Sequence, residues 1–432
     1  MPLDRIRPAL MHGLDSAIDK FTAKNPQSAA ALERARAVLP GGNTRSSLWS
    51  APFPLCIASG EGCRIRDVDG NTYVDFLGEF TAGIFGHSSP ILARALADAH
   101  ARGINLSSHT PYEVELAERL VARFPSMDRV RFANSGTEAT IMAITAARLT
   151  TGRERIIAFE GGYHGGVATF IPGADRVNAP YQFDVLPFDD LTAVQAAFAH
   201  DPQIAAVLVE PMQGAGGCRV ASTAFLAGLR SLCDSHGAVL IFDEVQTARM
   251  AEGGMQARLG ITPDMTTVGK FFGGGLAFGA FGGRASIMDR FDPARPDALA
   301  HAGTFNNNSL TMATGVAAID HYLTPAALEA LFERGETFRG RLNAAFGASG
   351  LPFEATGLGS IMNIHARLET ADSSAALRRL LQFGMMAKGQ YFAARGLIAL
   401  SLAIGDAEIE GFFTALTEVL ADIAGIMAED AA

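Results

Sequence analysis

The chain is short of lysine. Of its 35 basic residues 31 are arginine, and the four lysines are Lys20, Lys24, Lys270 and Lys388. It is short of cysteine too. Cys56, Cys63, Cys218 and Cys233 form no CxxC pair and show no metal-type spacing with histidine, so neither a disulfide framework nor a metal site is expected. Reduced thiols predict a cytoplasmic protein. Charged residues make up 19%, against a usual share of about 25%. Much surface is therefore expected to be buried, in a large core, a subunit interface, or both. The net charge of −10 and the lack of a basic cluster interleaved with aromatics argue against nucleic acid as a partner. No run of 18 apolar residues is present, and no membrane span is expected. The first residues, MPLDRIRPALMHGLDSAIDK, are amphipathic and carry three Asp; they lack the apolar core and cleavage site of a signal peptide.

What is present is a long alternation. A chain of 432 residues predicts two or three domains. A helix over residues 27–39 stops at Pro40-Gly41-Gly42, and the GEG and DVDG turns predict hairpins. Apolar runs then recur at 129–134, 155–160, 204–210, 238–245, 265–269 and 278–283, with helical stretches between them. Runs that are apolar on both faces and separated by helices indicate a buried, mostly parallel sheet. From residue 310 the character changes: helices at 325–347 and 374–395 flank short strands around GSIMNIH and LIALSL. The expected organisation is an N-terminal segment, 1–75, belonging to a small domain; a large α/β domain, 76–309; and a C-terminal small α+β domain, 310–432.

Ligands of such sheets bind beyond the C-terminal strand ends. There the first run leads into Ser135-Gly136-Thr137, a turn opening a helix. Free backbone N–H groups, two hydroxyls and the positive helix end make a phosphate site, although a plain N-cap uses the same residues. The second run leads into Gly161-Gly162-Tyr163-His164-Gly165-Gly166, where glycines let an aromatic pair approach a ligand. The run AVLIFDEV ends on Asp243, a carboxylate that is costly to bury without a cation or donors, followed by Gln246. Lys270 stands alone in the apolar stretch TTVGKFFGGG. Its stem could pack on apolar surface with the amine in water. The sharper reading is a reactive amine, a task arginine cannot perform because guanidinium does not give up its proton. A phosphate cup, an aromatic, a buried acid and a desolvated lysine on one sheet rim together fit pyridoxal 5′-phosphate (PLP). The acid keeps the ring nitrogen protonated. Desolvation favours the neutral amine.

With VLPGGNTRSS, NSGTEA, GGYHG, VEPMQG, IFDEVQT, VGKFFGGG and GTFNNN in this order, the chain from about residue 30 to 425 resembles the fold-type I, class III aminotransferases. Within them it resembles the glutamate-semialdehyde aminomutase group, and most of all the β-amino acid (β-phenylalanine) aminotransferases, through GINLSSH, GKFFGGGLAFGAFGGR and GTFNNN. The resemblance implies a large domain with a mostly parallel sheet sandwiched by helices, plus a smaller α+β domain made from the two chain ends. It implies that Lys270 is the Schiff-base lysine and proton-shift base and that Asp243 pairs with the pyridine nitrogen. Ser135, Gly136 and Thr137 would bind phosphate, and Tyr163 would stack on the ring with His164 beside it. Glu210 would support the ring pocket, Gln246 would reach the ring hydroxyl, and Val245 would join the cofactor contacts. Thr304 would reach the phosphate of the other subunit, which implies a homodimer with shared sites. Arginine suits substrate carboxylates, and the candidates are Arg45, in an N-terminal segment that folds over the pocket entrance in this class, and Arg395. The expected activity is ping-pong transfer of an amino group from a β-amino acid, with an aryl group on its β-carbon, to 2-oxoglutarate or pyruvate. An aminomutase is the alternative within PLP chemistry. A nucleotide-binding α/β protein fits less well, because Lys270 precedes its glycines and no Ser or Thr follows directly. A silent PLP-fold regulator is opposed by the retained Lys270 and Asp243.

Overall fold

Val, Ile, Leu and Phe packed into runs of five or six residues become strands buried on both faces. The computed structural model describes residues 8–429; the first seven residues of the amphipathic N-terminal stretch lie outside them. Two compact units are present, one over Pro90–Phe332 and one made from the residues before Pro90 and those from Glu333 onward. These divisions differ from the boundaries expected at 75/76 and 309/310, for local reasons. The backbone of Phe76 donates to Tyr391 O at 2.8 Å and accepts from Ala399 N at 2.7 Å, which ties it to the C-terminal segment. The helix Ser309–His321 packs against the helices Pro90–Arg102 and Pro111–Arg123.

The unit Pro90–Phe332 is built on a seven-stranded sheet in the order Arg129–Ala133, Gly279–Gly283, Met265–Gly269, Val239–Asp243, Ile204–Val209, Arg155–Phe159, Gln182–Leu186. Only Gly279–Gly283 runs against its neighbours; the other pairings are parallel. The edge strand Gln182–Leu186 is an addition to the six expected runs. Its YQFDVL sequence alternates and lacks a continuous apolar run.

Alternation along each strand sorts side chains onto two faces. Ile156, Leu208, Val239 and Ile241 meet Ala139, Ala143, Ala146 and Ala147 of the helix Gly136–Thr151. Small residues on that helix let it lie close to the sheet. Ile157, Val207, Leu240 and Phe242 meet Val194, Phe225 and Leu229 on the other side. Each fully buried aliphatic or aromatic side chain contributes about 1.5–3 kcal/mol relative to exposure, so this double-faced core fixes the strand ends that carry the site.

The other unit holds the two expected hairpin turns in the sheet Ile57–Glu61, Arg64–Asp67, Thr72–Asp75, with Gln390–Tyr391 added parallel to Thr72–Asp75. A second, antiparallel sheet joins Phe353–Leu358, Ile361–Ala366 and Leu397–Ala399. The helix expected over 374–395 is Ala371–Ala387; the chain turns at Gly389, where φ is +76°, and enters the added strand. The last helix, Asp406–Glu429, is long and apolar enough over Asp406–Ala428 to cross a membrane by length and composition alone, with a mean hydropathy of 1.5. It buries Phe412, Leu416, Leu420 and Ile423, the pattern of a core helix.

Candidate active site

Five strand ends of the Pro90–Phe332 unit meet around a cavity of about 310 Å³, within the size range of small-ligand sites. Ser135, Gly136, Thr137, Tyr163, His164, Glu210, Asp243, Val245, Gln246 and Lys270 all line it. Asn134, Gly165, Leu276, Ala277 and Phe278 line it as well. Apart from Gly165, which stands in the glycine loop named above, sequence reasoning did not single these out, although each lies inside or beside a motif it quoted.

The phosphate-type turn is built by capping. Ser135 Oγ accepts from Glu138 N at 3.2 Å, and Glu138 Oε2 accepts from Asn134 N at 2.9 Å. This fixes the start of the helix Gly136–Thr151. The N–H groups of Gly136 and Thr137 have no intrahelical acceptor and sit at the positive helix end. Thr137 Oγ1 accepts from Gly166 N at 3.2 Å, which draws the Gly161–Gly166 loop onto the turn. Gly165 is required for that approach: its φ is +112°, and a Cβ there would lie 2.2 Å from Thr137 Oγ1.

The acidic end of the cavity is a buried network. His164 Nδ1 and Asp243 Oδ2 are 2.8 Å apart, and the two residues are only 2% and 5% exposed. Asp243 Oδ1 accepts from Val245 N at 3.0 Å, so both oxygens are held in place. Burial works to lower the His164 pKa, but the hydrogen bond and charge of Asp243, with Glu210 behind it, outweigh burial and raise it. Glu210 accepts from Tyr163 N at 2.9 Å and from Gly214 N at 3.2 Å. Burial raises its pKa most; His164 opposes this, Asp243 adds to it, and the two backbone donors oppose it. Glu210 thereby pins two loops, one carrying the half-exposed Tyr163 and one carrying Gly214. Gly214 gives the Gln246 amide its room, since a Cβ there would lie 2.2 Å from Gln246 Oε1 as it stands.

Lys270 follows the strand Met265–Gly269 directly and has a left-handed φ of +54°. A side-chain-bearing residue in that region is uncommon and clusters at functional sites. Gln246 is buried, and its Oε1 has no hydrogen-bond partner among the described residues. Such an atom is costly unless a ligand donor meets it.

The set fits pyridoxal 5′-phosphate. The helix turn with its hydroxyls can take the phosphate, Asp243 the protonated ring nitrogen, and Gln246 Oε1 the ring hydroxyl. Lys270 can supply the amine.

Three predicted residues lie elsewhere. Thr304 is exposed and lines a separate cavity of the same unit, together with Ile104, Leu106 and Phe305. Arg45 and Arg395 belong to the other unit. Their guanidinium carbons stand 5.5 and 5.6 Å from the centre of one ring, Phe80, and Arg45 is paired with the Glu79 carboxylate.

Comparison with known proteins gives one family. The model of the class-III aminotransferases matches residues 46–420. Beta-phenylalanine transaminase of Variovorax paradoxus is 46% identical over 416 residues, covering 94% of this chain and 96% of that relative. A crystal structure of a β-phenylalanine aminotransferase from the same organism superposes with a TM-score of 0.92 at 44% identity, covering 96% of this chain and 98% of that one. A glutamate-1-semialdehyde 2,1-aminomutase of Desulfovibrio desulfuricans is 39% identical, covering 84% of this chain and 92% of the relative. A structure described as a transaminase with PLP bound has a TM-score of 0.87 at 36% identity, covering 94% and 99% of the two chains.

Proposed function

The chain belongs to the class-III aminotransferases, enzymes that use pyridoxal 5′-phosphate, and on that premise we propose that it moves the amino group of a β-aryl-β-amino acid to 2-oxoglutarate or pyruvate. The observation that carries this reading is the 46% identity to a β-phenylalanine transaminase over nearly the whole chain. The exchange is ping-pong and balances without an external oxidant. The donor leaves as its β-keto acid, and 2-oxoglutarate leaves as glutamate, or pyruvate as alanine.

When bound, the cofactor supplies an electron sink and carries the amino group between the two half-reactions. The chain's own residues do the rest. Lys270 Nζ takes the proton from the amino-bearing carbon of the donor. Asp243 holds a proton at the ring nitrogen through a charge-assisted hydrogen bond. His164, donating to Asp243 from a buried position, holds that carboxylate oriented. Tyr163 covers the ring, and Glu210 holds the Tyr163 loop. Ser135, Gly136 and Thr137 anchor the phosphate.

In a β-amino acid the carboxylate lies one carbon farther from the reacting carbon than in an α-amino acid. Arg45 is the proposed grip for it and Arg395 the proposed partner of the distal carboxylate of 2-oxoglutarate. A bidentate, charge-assisted contact in a shielded site is worth roughly 2 kcal/mol or more. Arg45→Ala should therefore lower kcat/KM for β-phenylalanine by at least about 10-fold, while Arg395→Ala should act mainly on 2-oxoglutarate. Steady-state kinetics with each substrate varied checks both, and unchanged β-phenylalanine kinetics in Arg45→Ala would remove the grip. The aminomutase reading, favoured by the 39% identity to such an enzyme, is separated by one condition: transamination requires an added keto acid, and the aminomutase reaction does not.

The protein is further proposed to be a homodimer with shared sites. Thr304 lies beside the exposed apolar side chains of Ile104, Leu106 and Phe305, a patch suited to a partner surface. Thr304→Ala should weaken cofactor retention by about tenfold, the worth of one hydrogen bond to a charged group. Dialysis followed by absorbance measures this. A monomer in sedimentation with unaltered retention would count against shared sites.

A further inference from the structure

The turn after the strand Thr72–Asp75 has an unusual backbone. Gly78, Glu79, Phe80 and Thr81 have φ of +54°, +49°, +52° and +80° in succession. Consecutive side-chain-bearing residues in the left-handed region are costly and persist where surrounding structure over-determines them. Here it does. The buried Asp75 accepts from Leu77 N at 2.8 Å and Gly78 N at 3.0 Å, and Gly83 N donates to Gly78 O at 2.8 Å. The turn's product is specific: Glu79 reaches Arg45, and the Phe80 ring is approached by the guanidinium groups of both Arg45 and Arg395.

We infer that Glu79 is a specificity-determining residue, the resident counter-ion of Arg45, which the carboxylate of an incoming donor displaces. This rests on the reading that Arg45 grips that carboxylate. Two observations support it. The paired side chains are 45% and 53% exposed, and exposed ion pairs are weak, so a ligand carboxylate in a shielded complex can replace Glu79. Phe80 holds the Arg45 guanidinium over its face whether or not Glu79 is paired, so the cation stays in place during the exchange. A donor without a carboxylate leaves the pair intact, and Arg45 is then neutralised by Glu79 rather than left unpaired.

The role predicts opposite effects on two ligand classes. In the holoenzyme of Glu79→Gln, 3-phenylpropanoate, which has the aryl group and carboxylate but no amine, should bind about three- to fivefold tighter by calorimetry, the upper worth of an exposed pair. The kcat/KM for 1-phenylethylamine, which lacks a carboxylate, should fall by a similar factor while that for β-phenylalanine rises. Glu79→Asn should repeat both results, because asparagine tolerates the left-handed backbone. A purely structural role would move both donors in the same direction. The inference is overturned if 3-phenylpropanoate binds both variants no tighter than wild type, or if the two donors shift together. Arg45→Ala separates the failures. If it leaves β-phenylalanine kinetics intact, the grip itself is wrong. If it depresses them while the Glu79 variants change no ratio, only the counter-ion role falls.

Discussion

Replacing Lys270 with alanine is expected to lower turnover about ten-thousandfold and to leave a cofactor that dialysis removes. One positioned acid–base group contributes up to about 10⁴-fold, and this amine is also the proposed covalent tether. Lys270→Arg should be nearly as inactive although it keeps the positive charge, because guanidinium neither forms the tether nor gives up a proton. Borohydride treatment of the wild-type protein should fix the cofactor to one peptide. Mass mapping of that peptide to Lys20, Lys24 or Lys388, or an arginine variant within tenfold of wild-type turnover, would remove Lys270 from its role.

The reason Lys270 was legible is physical. A chain that writes almost every cation as arginine has placed a lysine at the end of a strand buried along its whole length, where a merely solvated cation has no reason to be. Asp243 was legible for the same reason, as a carboxylate closing an apolar run. The sheet followed from runs apolar on both faces, and the cofactor followed from four weak signals placed on one rim by that sheet. Other features were not legible. The Glu79–Phe80 turn contains one glycine at its start, so three left-handed residues behind it leave no compositional mark. Their cause is Asp75, which reads in sequence as one more polar residue at a strand end. Pairing Phe80 with both Arg45 and Arg395 brings together residues 35 and 315 positions from it, and no local pattern encodes that. The unit boundaries shifted because the helix Ser309–His321 carries a broad buried face, including Thr311, Met312, Thr314 and Ala318, whose partner helices lie about 200 residues earlier in the chain. The buried Glu210 was placed by the family resemblance, but its task of pinning two loops through backbone N–H groups is visible only in three dimensions.

Asp243→Asn should retain the cofactor yet lose about a hundredfold in kcat. The substitution keeps the shape and the bond from Val245 N to Oδ1, so the cavity is preserved. What would be lost is the charge proposed to hold a proton at the ring nitrogen. A charge interaction used in the transition state is worth roughly 3 kcal/mol or more, and each 1.36 kcal/mol is tenfold in rate. The same change acts on His164. Its pKa is raised because the hydrogen bond and charge of Asp243 overcome burial; with a neutral amide at 2.8 Å, burial dominates and the imidazole loses its proton at lower pH. The wild-type His164 should therefore stay protonated further into the neutral range than the variant's, a difference readable from the histidine ring resonances in a pH titration of the two holoenzymes. Removing the Asp243 charge also acts on Glu210 in the lowering direction, because that charge is one of the causes raising it. A variant with wild-type kcat would exclude the role of Asp243 at the ring nitrogen. An unshifted His164 titration would show that the imidazole takes its charge from another group, and the network would then have to be rebuilt around Glu210 alone.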